Sequence, residues 1–394
     1  MKIKGFSFSA VEAGIRYPDR LDLGLVYSDI PCVTAGMFTT NQVKAAPVLI
    51  DKERLKGGYA QAILVNSGSA NACTGEKGME AAKATSSLVS GALGIADELI
   101  QLSSTGVIGE QLNLDAFKRS VPKLVEELSA DNFERVAQAI MTTDTVQKIA
   151  DTTISIGGKE VKIMGMAKGA GMIMPNMATM LAFVFTDARI NFPELHKSLV
   201  RGTDRTFNRV TIDGDTSTND MVLAMANGTA ENPWIDGDSP EDQLIFQDGL
   251  ETVLKDLALQ IVKDGEGATK TITIKVCGAK ENAEAEKIAR TVATSSLVKT
   301  AFFGEDANWG RILAAMGRSG VRFSPERVDL SFGNVLIVEN GLLVGAEAEI
   351  AATKVLKEKN ITVCIDLKDG PGCEEIFTCD FSIDYVKINA DYRS

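Results

Sequence analysis

Apolar and polar residues alternate with two different periods along the chain, and these periods predict a mixture of strands and helices. Period-two alternation predicts a hairpin of strands at Thr152–Ile156 and Glu160–Met164, joined at residues 157–159 by glycines that can adopt positive φ angles. The continuous apolar run Leu181–Phe185 predicts a strand that is buried on both faces. Comparable patterns predict further strands at Ala62–Val65, Lys270–Val276, Ile361–Leu367 and Phe377–Ile388.

Helical patterns fill most of the intervals between these strands. One helix is predicted from Met79 to Leu93, with Gly94 near its end. Another begins at residues 239–242 and runs to about Lys263, because a serine cap, a first-turn proline and two acidic residues favour a helix start. A helix predicted at Ala116–Leu128 is capped by Asp115 and kinked or split at Pro122, and a helix predicted at Asn132–Met141 is capped by Asp131. Two further helices are predicted at Ala283–Leu297 and Ala351–Lys359. This mixture predicts a layered α/β fold with a largely antiparallel or mixed sheet.

Length and charge narrow the possible functions. The 394 residues are enough for two or three domains, or for one large α/β unit. A net charge of −12 argues against unspecific binding to nucleic acid or to an anionic membrane, since both need a basic surface. The first residues lack the apolar region of a secretory signal, and no apolar run approaches the roughly 18 residues of a membrane span. We therefore expect a cytoplasmic protein.

Six cysteines and a single histidine limit the metal and redox chemistry that the chain can carry. The cysteines form no CxxC pair, and a zinc site needs more nitrogen and sulfur ligands than this chain brings together in one motif. We therefore predict no metal site, and six reduced, mostly buried thiols.

The lone histidine also argues against nucleophilic mechanisms that use histidine as the base. His196 is predicted to be an exposed or half-buried residue on a short helix begun by Asn191 and Pro193, so Ser-His-Asp and Cys-His arrangements lack a base. A threonine at a new N-terminus needs no histidine, because its own α-amino group is the base, with an unperturbed pKa of about 7.7–8.0.

The sequence offers one place where such an N-terminus would arise. Ala178-Thr179 is a small residue followed by threonine, directly before the buried strand Leu181–Phe185. The pair lies in the methionine-rich segment 166–188, which contains neither a Walker motif nor GxGxxG. Composition alone also fits a flexible loop that leads into a core strand, with methionine filling gaps.

The segment KGAGMIMPNMATML (168–181) resembles the cleavage motif of the ornithine acetyltransferase family, also called glutamate N-acetyltransferases. Seven other segments resemble family motifs and occur in the family's order, so the resemblance spans essentially the whole chain. They are FTTNQVKAAPV (38–48), NSGSANACTGEKG (66–78), SSTGVIGE (103–110), MTTDT (141–145), DGDTSTND (213–220), GEDANWGRI (304–312) and NADYRS (389–394).

The resemblance implies a role for several residues of this chain. Thr179 matches the nucleophile, so that cleavage after Ala178 would give an α chain of residues 1–178 and a β chain of residues 179–394. Thr105 and Gly106 match the oxyanion hole. The residues that match substrate-binding positions are Thr142, Lys168, Thr179, Glu266, Asn389 and Ser394, the last being serine where many members have threonine.

Taken without the family, these residues allow simpler interpretations. Thr105-Gly106 fits an ordinary turn, Lys168 a solvated lysine, Glu266 a surface acid and Thr142 a hydroxyl at a helix end. The three aspartates of segment 213–220 lack the spacing of a calcium-binding EF-hand loop, and we interpret that segment as a structural loop near the site.

The resemblance implies that the acetyl group moves from N2-acetylornithine to glutamate through an acetyl-Thr179 intermediate, in arginine biosynthesis. It implies no cofactor, although acetyl-CoA is a possible second donor, and an α2β2 heterotetramer with a layered α-β-β-α fold. That fold is reminiscent of N-terminal-nucleophile hydrolases but differs in topology. Two alternatives stay open: an N-terminal-threonine amidase or aminopeptidase with water as acceptor, and an uncut amino-acid-binding protein without activity.

Overall fold

The computed structural model describes residues 2–174 and 180–391, and contacts divide the chain into two compact units. The first unit comprises Met1–Asn208 and Asp215–Ile261, and the second comprises Arg209–Gly214 and Val262–Ser394. Each unit contains one mixed sheet with helices. The predicted mixed α/β class is therefore confirmed. Among the described residues, no helix combines the length and hydropathy that crossing a membrane would need.

The first unit is built on eight strands in the order β4-β3-β2-β8-β7-β6-β5, with β1 paired to β2. Among the strand pairs that the structure describes in this unit, β3–β4 and β7–β8 are parallel and the others are antiparallel. The strands are β1 Phe6–Val11, β2 Leu23–Phe38, β3 Tyr59–Asn66, β4 Ile100–Ser104, β5 Lys148–Ile156, β6 Lys159–Lys168, β7 Leu181–Thr186 and β8 Met221–Ala226. The helices are α1 Ala46–Arg54, α2 Gly75–Leu93, α3 Leu114–Glu126, α4 Phe133–Ala139, α5 Phe192–Arg205 and α6 Pro240–Lys263.

Helices cover the sheet of the first unit on both of its faces, as β2 shows. Successive strand residues point to opposite faces. Leu25 belongs to a core cluster with Phe117 of α3, whereas Val26 belongs to a second cluster with Phe133 of α4 and Phe185 of β7. All six residues of β7 are buried, as its continuous apolar run predicts.

The predicted hairpin is confirmed as β5–β6. Ile156 pairs with Lys159, so the turn consists of Gly157 and Gly158 alone, at φ of 55° and 77°. Two successive positive φ angles match the twist of the flanking strands, and glycine adopts them without a side-chain clash. The hairpin places the end of β6 next to the start of β7, with Lys168 paired to Leu181.

The second unit contains a six-stranded sheet in the order β12-β11-β10-β13-β9-β14. Its strands are β9 Thr271–Ala279, β10 Asp329–Phe332, β11 Val335–Glu339, β12 Leu342–Leu343, β13 Asn360–Asp366 and β14 Gly372–Cys379. Its helices are α7 Asn282–Ala293, α8 Ser296–Phe303, α9 Trp309–Gly317, α10 Ala346–Val355 and α11 Ile383–Ala390. One hydrophobic core joins Ile274 of β9, Ile288 of α7 and Ile376 of β14.

Several predicted helix boundaries are wrong. The side chain of Asn113, not Asp115, caps α3 by accepting the Ala116 N–H, and α3 runs through Pro122 without splitting. Asn132, rather than Asp131, is the N-cap residue of α4. The helix predicted at Ala283–Leu297 ends at Ala293, where α8 follows after a short break, and the one predicted at Ala351–Lys359 is α10, which begins and ends earlier.

The strand predicted at Phe377–Ile388 is confirmed only as far as Cys379 and is wrong beyond it, since the chain leaves β14 there and forms α11. Asp380 ends the strand because its carboxylate accepts the N–H groups of Thr269 and Lys270. Ser382 then caps the helix by accepting the N–H groups of residues 384 and 385. Alternation of apolar residues alone therefore misled the prediction, because side-chain hydrogen bonds decide the local structure here.

The prediction of six reduced thiols is also wrong for two cysteines. Cys277 and Cys373 are paired in register on β9 and β14, with Cα atoms 4.0 Å apart, and the structure joins them in a disulfide. Neighbouring positions on antiparallel strands bring two cysteines within bonding distance, although 96 residues separate them in the sequence. Cys32, Cys73, Cys364 and Cys379 are free thiols.

Candidate active site

Three of the predicted site residues meet at the side chain of Lys168. This lysine is the last residue of β6 and is 3% exposed. Its Nζ donates to Thr105 Oγ1 at 3.1 Å and to Thr142 Oγ1 at 2.8 Å. The fold thus brings together residues that are 63 and 26 positions away from Lys168 in the sequence. Lys168 is therefore a buried, hydrogen-bonded cation and not a solvated surface lysine.

The direction of these hydrogen bonds matters for Thr105. An ammonium group only donates, so the Thr105 hydroxyl accepts from Lys168 and keeps its own hydrogen for another acceptor. Within the described residues, that hydroxyl donates no hydrogen bond. A polarised O–H group next to a buried positive charge suits the stabilisation of a developing oxyanion.

Gly106 follows Thr105 at a φ of 133°, where side chains are strained. A Cβ atom at this position would lie 2.3 Å from the carbonyl carbon of Gly68, so the two backbones are in direct contact. The flanking N–H groups of Thr105 and Val107 donate to Asn66 and Gly68. No hydrogen bond among the described residues uses the Gly106 N–H. Two donors on consecutive residues, the Thr105 hydroxyl and the Gly106 N–H, therefore have no acceptor among the described residues.

Asp144 organises the other side of Lys168. Its Oδ1 accepts from Lys148 Nζ at 2.6 Å and from the Gly169 N–H at 2.7 Å, and its Oδ2 accepts the Thr142 N–H at 3.0 Å. One carboxylate thus fixes the backbone of Thr142 and the residue that follows Lys168. The side chains of Asp144 and Lys148 are 1% and 0% exposed. The motif MTTDT contains Asp144, but nothing in the sequence indicated its burial or its partner.

The charges around Asp144 lower its pKa. Burial alone would raise it, but the positive charges of Lys168 and Lys148 outweigh that effect and lower the pKa from 3.8 to about 2. Because the folded-state pKa lies below the unfolded one, Asp144 contributes stability above about pH 4, and this contribution is lost as the pH falls towards about 2.

We expect Asp144→Asn to destabilise the protein by about 3–5 kcal/mol at neutral pH, because it removes a buried carboxylate whose charge is stabilised by Lys168 and Lys148. Chemical denaturation at several pH values measures this loss, which should shrink between about pH 4 and pH 2, where the wild type itself loses the charge. Asp151→Asn, an exposed position on β5, is the matched control and should change stability by less than about 0.5 kcal/mol. Equal stability of the two variants would contradict this assignment.

Glu266 and Asn389 meet in the second unit. Asn389 Nδ2 donates to Glu266 Oε2 at 2.8 Å and to the Tyr385 carbonyl at 3.0 Å. Glu266 is 6% exposed, whereas Asn389 lies on an exposed position of α11. The structure therefore joins two further residues that the sequence motifs singled out, and it contradicts the interpretation of Glu266 as a surface acid.

Three predicted residues, Ala178, Thr179 and Ser394, lie outside the described residues. The next residue in the sequence, Met180, is described, and its N–H donates to Asp220 Oδ1 at 2.8 Å. His196 is exposed on α5, which Asn191 caps as predicted, and its ring stacks on Phe192.

Comparison with known proteins identifies close relatives over the full length. The model of the ArgJ family matches residues 7–394. The arginine biosynthesis bifunctional protein ArgJ of Desulfotalea psychrophila is 67% identical over 396 residues, and that of Geobacter sulfurreducens is 51% identical over 394 residues, each alignment covering 100% of both chains. The crystal structure of the corresponding Bacillus halodurans protein is similar, with 44% identity and a TM-score of 0.51, over 53% of this chain and 97% of that chain.

Proposed function

Since this chain belongs to the ArgJ family, we propose that it is a glutamate N-acetyltransferase that cleaves itself between Ala178 and Thr179. The observation that carries this proposal is the buried Lys168, hydrogen-bonded to Thr105 and Thr142. Because Thr105 accepts the hydrogen bond from Lys168, its own hydroxyl hydrogen can be donated to an oxyanion, together with the N–H of Gly106.

In the first reaction, Thr179 Oγ attacks the carbonyl carbon of Ala178. The oxyanion that forms is stabilised by Thr105 and Gly106, the C–N bond breaks, and the nitrogen of Thr179 leaves as an amine. Water then hydrolyses the ester, releasing the Ala178 carboxylate and restoring the hydroxyl of Thr179.

In the second reaction, the new α-amino group of Thr179 takes the proton of its own hydroxyl while Oγ attacks the acetyl carbon of N2-acetylornithine. The same amino group returns a proton to the departing amine, so ornithine leaves and acetyl-Thr179 remains. The amine of glutamate then attacks the acetyl carbon of this ester, and the bond between that carbon and Thr179 Oγ breaks. The α-amino group of Thr179 passes the proton of the attacking amine to Oγ, so N-acetylglutamate leaves and the hydroxyl is restored. The mechanism calls for no cofactor, and acetyl-CoA would enter only as a second donor.

The length of the solved relative supports the cleavage. The Bacillus halodurans chain aligns over 97% of its length yet covers 53% of this chain, so it is a polypeptide about half as long. The proposed β chain, residues 179–394, is likewise a little over half of the 394 residues. An α2β2 heterotetramer and substrate contacts by Thr142, Glu266, Asn389 and Ser394 are proposals that rest on the family motifs.

Acetyl transfer to glutamate separates this function from an amidase. With N2-acetylornithine labelled in the acetyl group, we expect the label to appear in N-acetylglutamate, and ornithine release to rise at least about tenfold when glutamate is added. Mass spectrometry of the products measures both quantities. Ornithine release that is independent of glutamate, with the label in acetate, would instead show an amidase. Replacing acetylornithine by acetyl-CoA in the same assay tests the second donor.

A further inference from the structure

The segment just before β8 holds the backbone next to the proposed nucleophile. Asp220 is 1% exposed, and its Oδ1 accepts the N–H of Met180, the first residue after Thr179 in the sequence, at 2.8 Å. The carbonyl of Met180 accepts the N–H of Met221 at 3.1 Å. Both backbone polar groups of Met180 are therefore fixed by two consecutive residues.

The neighbouring side chain holds the loop that supplies the oxyanion donors. Asn219 Nδ2 donates to the carbonyls of Ala70 at 2.6 Å and of Ser104 at 2.8 Å. Ser104 directly precedes Thr105. Two adjacent side chains, Asp220 and Asn219, thus connect the backbone beside Thr179 to the backbone beside the proposed oxyanion hole.

The peptide group is planar, and this is why the hydrogen bond of the Met180 N–H concerns the residue before Met180. A peptide group carries six atoms in one plane, from one α-carbon to the next. The Met180 N–H belongs to the peptide group that links Met180 to the proposed nucleophile, so a hydrogen bond to this N–H acts on that link. A misplacement of about 1 Å can reduce the rate of an enzyme reaction on the order of a hundredfold.

We propose that Asp220 is a positioning residue for both reactions at Thr179, and that Asn219 keeps the oxyanion loop in register with it. This inference rests on the proposed function, because it assigns roles around that nucleophile.

The chemistry of Asp220 indicates which replacement should work. Burial raises the pKa of Asp220 well above its usual value, although the Met180 N–H and the charge of Lys168 oppose the shift. A carboxyl group accepts a hydrogen bond through its carbonyl oxygen whether or not it is ionised. The amide of asparagine offers the same acceptor in the same place, whereas leucine has a similar size and offers none.

The experiment compares Asp220→Asn, Asp220→Leu and Asp220→Ala with the wild type and Thr179→Ala, all as full-length chains. Intact-mass spectrometry gives the rate constant of self-cleavage, steady-state assays of the cleaved protein give kcat and KM, and thermal denaturation gives Tm. We expect the asparagine variant to cleave and transfer within about threefold of the wild type. The leucine and alanine variants should be at least about tenfold slower, in kcat and not in KM.

Asp51 provides a matched control. It is fully buried, burial raises its pKa, and it accepts a backbone N–H, that of Leu102, at 2.9 Å. Asp51→Leu should therefore lower Tm as Asp220→Leu does, while its folded fraction cleaves at the wild-type rate. Equally slow cleavage by Asp51→Leu would make the effect one of stability and overturn the inference.

The remaining outcomes are equally decisive. Two outcomes overturn the inference and leave the proposed function intact. In the first, folded Asp220→Leu or Asp220→Ala cleaves itself at the wild-type rate. In the second, Asp220→Asn cleaves itself as slowly as the leucine and alanine variants. An uncut, inactive wild type overturns the proposed function and this inference with it. If the leucine and alanine variants do not fold, the asparagine variant decides: a rate within about threefold supports the inference, and one below about a tenth overturns it.

Discussion

Thr179→Ala is expected to yield a single uncut chain of 42.1 kDa and no detectable acetyl transfer. Alanine has no hydroxyl, so neither the N-to-O shift at Ala178 nor the acetyl ester can form, and without cleavage the catalytic α-amino group does not exist. Intact mass and the acetyl-transfer assay measure the two losses on the same sample.

Thr179→Ser is the matched control for this prediction, because it keeps the hydroxyl and loses one methyl group. We expect it to cleave and to transfer acetyl groups, more slowly than the wild type, since serine has more rotamer freedom at χ1 than a β-branched residue. A wild-type chain that stays uncut, or acetyl transfer by the alanine variant, would show that Thr179 is not the nucleophile.

Gly106→Ala is expected to reduce both self-cleavage and acetyl transfer at least about a hundredfold, the usual effect of losing one oxyanion donor. The new Cβ would lie 2.3 Å from the Gly68 carbonyl carbon, 2.5 Å from its oxygen and 2.7 Å from the Ser69 nitrogen. All three are backbone atoms that no rotamer change can move aside. The loop must therefore shift and carry the Gly106 N–H away from its position.

Gly109→Ala separates this effect from backbone strain. Gly109 also has a positive φ, of 88°, but a Cβ there would meet no atom within 4 Å. Both variants share a strain of about 1–2 kcal/mol in the left-handed region, which thermal denaturation measures. Only Gly106→Ala should then lose the two reactions, and a similar loss in Gly109→Ala would mean that strain in this loop, not the donor, is responsible.

The sequence predicted those elements whose hydrophobic pattern has one simple explanation. The run Leu181–Phe185 is apolar because β7 is buried on both faces, and Gly157-Gly158 makes the hairpin turn that only such residues make easily. The pattern failed at Phe377–Ile388 because Asp380 and Ser382 bind backbone N–H groups and so turn an alternating segment into a strand followed by a helix.

The sequence also predicted some residues of the site and missed the importance of others. Family motifs pointed to Thr105, Thr142 and Lys168, and the structure shows them in hydrogen-bond contact. Asp144 and Asp220 lie within quoted motifs, but their importance depends on complete burial and on backbone partners. Those properties arise from the packing of distant segments, and a periodicity in the sequence does not encode them.

The strand order β6-β7-β8 has a consequence for how the protein would refold after the proposed cleavage. β2 and β6 precede the proposed cut, whereas β7 and β8 follow it. In the sheet, β7 is fully buried and pairs with β6 on one side and β8 on the other, and β8 pairs with β2. Two separate polypeptides would then share one continuous sheet. If the proposed cleavage occurs, the uncut precursor folds as one polypeptide, whereas refolding of the cut protein requires that two separate chains meet by diffusion. Cleavage would therefore make unfolding harder to reverse. The native state would form before the cut in a unimolecular reaction, but after the cut its refolding would depend on protein concentration.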